Sequence, residues 1–113
     1  MVVEVNGYKI KPNAQLDSAD LSGADLTGAD LSNADLTSAN LIKANLTGAN
    51  LTGACMESAQ LSGANLTNAN LTGVDLWDTD LSHTNLTGAN FTDAKPSNTN
   101  WTGATMPDGS IHD

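Results

Sequence analysis

Ala19-Asp-Leu-Ser-Gly23, Ala24-Asp-Leu-Thr-Gly28, Ala29-Asp-Leu-Ser-Asn33 and Ala34-Asp-Leu-Thr-Ser38 state one five-residue pattern four times in succession. The pattern Ala-(Asp/Asn)-Leu-(Ser/Thr)-Gly runs from Ala14 to Asp108, nineteen blocks without insertion or deletion. A side chain that recurs every five residues recurs at the same place on a repeating backbone unit, so residues 14–108 form one solenoid. A helix is excluded, because five residues at about 100° each would make successive leucines drift by roughly 140° and leave no apolar stripe. Strand geometry accommodates part of each block. Ala and Leu, two apart, point to one face, and the Asp or Asn between them points to the other. Two further polar residues then precede the next Ala, so the chain must bend once per block. The fifth position is Gly at 23, 28, 48, 53, 63, 73, 88 and 103, Asn at 33, 68 and 98, and Asp at 78, 93 and 108. These residues tolerate the positive φ that a type II turn requires at its second central residue.

Read without the repeat, the composition points to disorder: Leu, Ile, Val and Phe number 22 of 113 residues and the net charge is −9. Periodicity overrules that class. Fourteen of the nineteen block centres are Leu, and fifteen of the nineteen positions two residues earlier are Ala, so the scarce apolar groups gather at two inward positions. The fold class is therefore all-β, with a narrow core and a length that suits one domain. No segment approaches the roughly 20 apolar residues of a membrane-spanning helix, and the stretch from Met1 to Gly7 has no charged region followed by an apolar run. A cytoplasmic location is expected. A single cysteine, Cys55, excludes an internal disulfide.

With nineteen copies of A(D/N)LxG between 14 and 108, the chain resembles the pentapeptide-repeat family. The resemblance implies a right-handed quadrilateral β-helix with four blocks per coil, hence nearly five coils. At ~4.8 Å between coils, the repeats form a rod on the order of 23 Å long. Residue n then lies beneath residue n + 20. The outward Asp/Asn positions form the columns Gln15/Asp35/Cys55/Asp75/Lys95, Asp20/Asn40/Gln60/Asp80/Asn100, Asp25/Asn45/Asn65/Asn85/Thr105 and Asp30/Asn50/Asn70/Asn90. No Asp lies on another Asp, and the stacked Asn amides are expected to hydrogen-bond along a ladder.

The ends break the pattern. Val2 to Lys11 reads as a two-residue hairpin turning at Asn6-Gly7, with Val5/Tyr8, Glu4/Lys9 and Val3/Ile10 as cross-strand neighbours. Its apolar face of Val3, Val5, Tyr8 and Ile10 is expected to cover the first leucine layer, while Glu4 and Lys9 pair on the other. This hairpin departs from the helical cap of some family members. At the carboxyl end Phe91, Trp101 and Met106 are expected to close the core, with Ile111 still in register. The chain divides into a β-hairpin cap at 1–13, the β-helix at 14–108, and a tail or degenerate last repeat at 109–113.

Candidate functional residues lie where the repeat is irregular. Trp77 occupies a position at which fourteen of nineteen blocks place Ser or Thr. An aromatic residue exposed among charges is typical of an interface anchor, and the alternative is a ring lying flat over neighbouring corners. Glu57, Asp75, Trp77, Asp78, Asp80 and His83 are accordingly the candidate protein-interaction residues. Asp78, Asp80 and His83 spread over two blocks with nothing to fix a metal geometry, and Cys55 has no His or second Cys in its sequence neighbourhood to activate it. Asn-x-Thr at Asn45, Asn50, Asn65, Asn70, Asn85, Asn90 and Asn100 is a by-product of the repeat rather than a set of glycosylation loops. A Leu/Ala-filled rod has no pocket for convergent catalytic groups.

The expected function is thus a non-enzymatic rigid scaffold or protein-interaction module for an unidentified protein. No metal, cofactor, membrane or direct nucleic-acid binding is expected, and the chain should be a monomer or weakly self-associating. The resemblance adds an alternative, an acidic DNA mimic that modulates a type II topoisomerase. Nine net negative charges and no arginine suit it, but between Asn40 and Gly73 Glu57 is the one acidic residue. Mimicry of a duplex needs rows of carboxylates.

Overall fold

The computed structural model describes residues 3–113, and no helix occurs among them. Met1 and Val2, part of the segment read as a hairpin cap, lie outside the described residues. Strands β1 (Val3–Val5) and β2 (Tyr8–Ile10) form an antiparallel pair. Beyond it the sheet consists of isolated parallel bridges between residues twenty apart, such as Gln15 with Asp35, Asp35 with Cys55, and Cys55 with Asp75. The chain returns to the same side every four blocks, and the bridges run down the same four columns that the n + 20 register anticipates.

Bridges stay one residue wide because extended geometry lasts only from Ala to Leu. Asn40 donates its N–H to the Ala19 carbonyl at 2.8 Å, and Leu21 donates to the Asn40 carbonyl at 2.8 Å. The turn follows at once: the N–H of Ala19 reaches the Leu16 carbonyl at 3.0 Å across Asp17 and Ser18, and Ser18 has φ 57°. Ser38, Lys43, Ser58 and His83 also adopt positive φ at this fifth position, where Gly, Asn and Asp were expected. Left-handed backbone at such residues costs about 1 kcal/mol or more, and it persists because the coils above and below fix the turn.

The Asp/Asn position has a second job that its outward direction alone does not reveal. Asp25 Oδ1 accepts both the backbone N–H of Thr27 at 3.1 Å and its hydroxyl at 2.7 Å, and Asn45 Oδ1 accepts the same pair from Thr47 at 3.1 and 2.6 Å. This local Asx turn explains why Ser or Thr follows two residues after Asp or Asn. It also corrects the expectation of an amide ladder. Among the described residues no side chain bonds to another along the four Asp/Asn columns, because each Oδ1 is engaged by its own turn. A stacked bond instead joins Asn98 to Asp78 at the corner column.

Every block centre from Leu16 to Leu86 is at least 98% buried, and most of the Ala positions are buried beside them. Thr79 and Thr84 replace Ala in this dry layer and remain satisfied, donating their hydroxyls to the Met56 and Leu81 carbonyls, each at 2.7 Å. At the carboxyl end Phe91, Ala94, Trp101 and Met106 pack partly buried against the core, and the Phe91 and Trp101 rings meet edge to face at 5.6 Å. Pro96 is exposed at this end, where its missing donor breaks no bond to a coil among the described residues.

Both ends differ from expectation in detail. In the hairpin, Asn6 (φ 53°) and Gly7 (φ 82°) supply the two positive φ values of a type I′ turn. Ile10 enters the core and Val5 and Tyr8 pack against it, but Val3 stays 50% exposed. A groove of about 350 Å³ therefore remains beside the first coil, lined by Val3, Val5, Ile10, Leu26 and Ala29 among others. Glu4 stands opposite Lys9, yet no ion pair within 4.0 Å forms among the described residues. Ile111 leaves the expected interior column. The chain reverses after Met106, Ile111 bridges Thr105 antiparallel, and its side chain is 63% exposed. Pro107 and the positive φ of Gly109 (88°) promote that reversal, after which His112 donates to the Ala104 carbonyl at 2.8 Å. The molecule measures 37 × 22 × 22 Å, its two short axes equal because four short sides close each coil.

Candidate functional site

One side of the rod is built by the blocks beginning at Ala14, Ala34, Ala54, Val74 and Ala94, and it departs from the Asn/Thr surface found elsewhere. At its outward positions stand Cys55 and Asp75 in one column, Glu57 and Trp77 in the next, and Ser58 and Asp78 at the corner. The coil-to-coil bonds hold these columns in place: Met56 donates to the Asp75 carbonyl at 2.9 Å and Ser58 to the Trp77 carbonyl at 2.9 Å. Asp75 Oδ1 accepts the Trp77 N–H at 3.0 Å, so tryptophan keeps the backbone half of the Asx turn and loses only the hydroxyl half.

Trp77 is 48% exposed, and Glu57 and Asp75 are half-buried beside it. A thiol sulfur of Cys55 and carboxylate oxygens of Glu57 and Asp75 lie within 4.8 Å of one another. Cys55 also meets Thr37, whose hydroxyl stands 3.3 Å from the sulfur. The sequence reading, which finds no His or second Cys near Cys55, does not anticipate this trio. The Cys55/Asp75 column contained half of the signal; the approach of Glu57 depends on rotamers that periodicity does not specify. As metal ligands the three combine one soft sulfur with two hard oxygens, a set suited to a borderline ion such as zinc and to neither a soft nor a hard one.

The six expected interaction residues do not form one group. Glu57, Asp75, Trp77 and Asp78 share this side, whereas Asp80 and His83 belong to the adjacent one. Asp80 is half-buried and accepts the Ser82 N–H at 2.9 Å. His83 sits at a corner, its ring over the glycine of the next coil: a Cβ built on Gly103 would come within 2.5 Å of His83 Nδ1. Asn33 beneath Gly53 and Asn68 beneath Gly88 repeat the arrangement, so a long corner side chain leans onto a glycine above it. The His83 ring thus lies against the next coil and stays exposed on its other side.

Four carboxylates in the Asx turns are acidified. The hydroxyls and N–H groups of Ser22, Thr27, Thr37 and Ser110 hold Asp20, Asp25, Asp35 and Asp108 below the ordinary value of 3.8. Each folded value is depressed, so the associated stability is present above the unfolded pKa and is lost as pH falls through the folded one. The melting temperature should begin to fall as pH drops below about 4. Thr27→Val removes the larger of the two donors to Asp25 and should move its titration up toward 3.8. Carboxyl ¹³C NMR reads this directly, and an unmoved Asp25 would contradict the hydroxyl as its cause.

Eight copies of the family model for pentapeptide repeats match the chain, over residues 14–53, 29–68, 59–95 and 84–108. Among solved structures, HetL, a pentapeptide repeat protein involved in heterocyst differentiation regulation from the cyanobacterium Nostoc sp. strain PCC 7120, is 43% identical with a TM-score of 0.86. The alignment covers 89% of this chain and 48% of HetL, so the chain spans about half of that protein's length. A pentapeptide repeat protein from the Arabidopsis thaliana thylakoid lumen is 37% identical with a TM-score of 0.66, over 83% of this chain and 69% of its own. QnrB1, a plasmid-mediated fluoroquinolone resistance protein, is 22% identical with a TM-score of 0.60, over 83% of this chain and 48% of its own, a likeness of fold alone. These matches imply the right-handed quadrilateral form of the β-helix. No curated protein matches the chain. Among the described residues no helix is long and apolar enough to cross a membrane.

Proposed function

The chain belongs to the pentapeptide-repeat family, and from that premise we propose that it is a rigid, non-enzymatic interaction module that meets a protein partner through the side bearing Glu57, Asp75, Trp77 and Asp78. The half-exposed Trp77 carries this reading. An indole in water at a place where the repeat otherwise sets Ser or Thr gives up apolar contact that a partner restores, and aromatic residues of this kind dominate interface energies. The scaffold beneath it is stiff because each coil is bonded to the next and the core is dry. We take the repeats as nearly five coils, with the hairpin covering one end and residues 109–113 the other, as solenoid ends require. The proposal needs only an aqueous compartment, and the cytoplasm expected from the sequence serves it as well as the lumen in which the Arabidopsis relative resides.

The DNA-mimic alternative is weaker on charge. Two adjacent sides bear uncharged Asn and Thr over most of their length, leaving the duplex-like rows of carboxylates unfilled. Affinity purification from the native host tests the main reading. Wild type should retain a partner that Trp77→Ala with Asp78→Ala loses, both proteins giving the same circular dichroism. Retention by the folded double variant would reject this side as the contact.

A further inference from the structure

Resting on that reading and sharpening it, we propose that the corner formed by Glu57, Asp75 and Trp77 receives an arginine side chain of the partner. Two carboxylates approach within 4.8 Å here, from neighbouring columns of successive coils. No lysine closes to within 4.0 Å of either, since no ion pair forms among the described residues, and the chain has no arginine to offer. Lys95 is the lysine bridged beside Asp75, and both carboxylates remain open to a cation from outside. A guanidinium presents a planar fork of donors that two neighbouring carboxylates can accept together, and its face stacks on an indole. Trp77 follows Asp75 by two residues and lies one coil above Glu57, so the indole and both carboxylates belong to the same corner. A divalent metal would use the carboxylates but has no use for the indole. Lysine offers a point charge without the plane, so the corner should favour arginine.

The test titrates the intact protein with three short acetylated, amidated Gly/Ser peptides that differ in one central residue: arginine, lysine or citrulline. The readout is the indole ¹H–¹⁵N resonances, which separate Trp77 from Trp101. The arginine peptide should shift Trp77 and leave Trp101, bind more tightly than the lysine peptide, weaken as salt rises, and lose roughly tenfold in affinity in Glu57→Gln or Asp75→Asn. Equal responses to arginine and citrulline would overturn the proposal. So would ZnCl2 shifting this corner at stoichiometric amounts while the arginine peptide leaves it unmoved. If Trp77→Ala abolishes capture of the native partner yet no arginine peptide shifts Trp77, the contact side stands and the arginine assignment falls.

Discussion

Leu61→Ala should destabilise the protein by about 3 kcal/mol and lower its melting temperature by roughly 10–20 °C. Leu61 has no exposed surface and stands mid-column between Leu41 and Leu81, with coils above and below that are hydrogen-bonded to its own. The backbone cannot collapse into the space left behind, because the rigid square coil fixes where each side lies. Both the lost transfer energy and an open cavity therefore count. Gln60→Ala, one residue away, is the control. Its side chain is exposed and makes no side-chain hydrogen bond among the described residues, so its effect should stay within about 0.5 kcal/mol. Urea melts of the two variants compare them directly. Equal midpoints would deny that alternate residues of the block point in opposite directions.

Electrostatics between coils should produce the second large effect. Asn40→Asp, Asn45→Asp and Asn50→Asp together place new carboxylates over Asp20, Asp25 and Asp30, their bridged partners one coil below. The turns themselves should survive, because an Asp Oδ1 accepts from the residue two on just as Asn does; Asp25 and Asn45 already show the equivalence. What changes is repulsion between like charges ~4.8 Å apart. The triple variant should melt roughly 5–10 °C below wild type at low salt and recover most of that loss near ~1 M salt, where the screening length shrinks to ~3 Å. A melt unchanged at low salt would mean that these side chains splay apart, and the charge spacing of the wild type would then have no energetic basis.

How far the molecule was legible beforehand depended on whether a feature repeats. The turn at each block, the inward Ala and Leu, and the Asn6-Gly7 hairpin follow from local chemistry and were readable. The twenty-residue register came with the family resemblance, since five-residue spacing shows only a bend per block. The assignment of Ile111 to the core failed because extending the repeat ignored Pro107 and Gly109, which favour reversal over another side. The amide ladder gives way for a different reason: each Asn Oδ1 has a nearer donor in the hydroxyl of its own block than in the amide one coil away. Of the candidate site, Trp77 was conspicuous as an exception to the pattern. The approach of Glu57 to Asp75 and Cys55 was not, since it joins residues up to twenty apart through side-chain rotamers.

Period and composition alone determine that this chain is a solenoid of short extended segments, because only a bend every five residues can return every leucine to a common interior. They also locate the irregular residues along the chain. Tertiary structure decides which of these meet. Coil stacking sets Trp77 above Glu57 and Asp75 above Cys55, and turns His83 onto Gly103. The physical reason is range: a repeat encodes the local bend, whereas contacts between neighbouring coils arise only after four bends have closed.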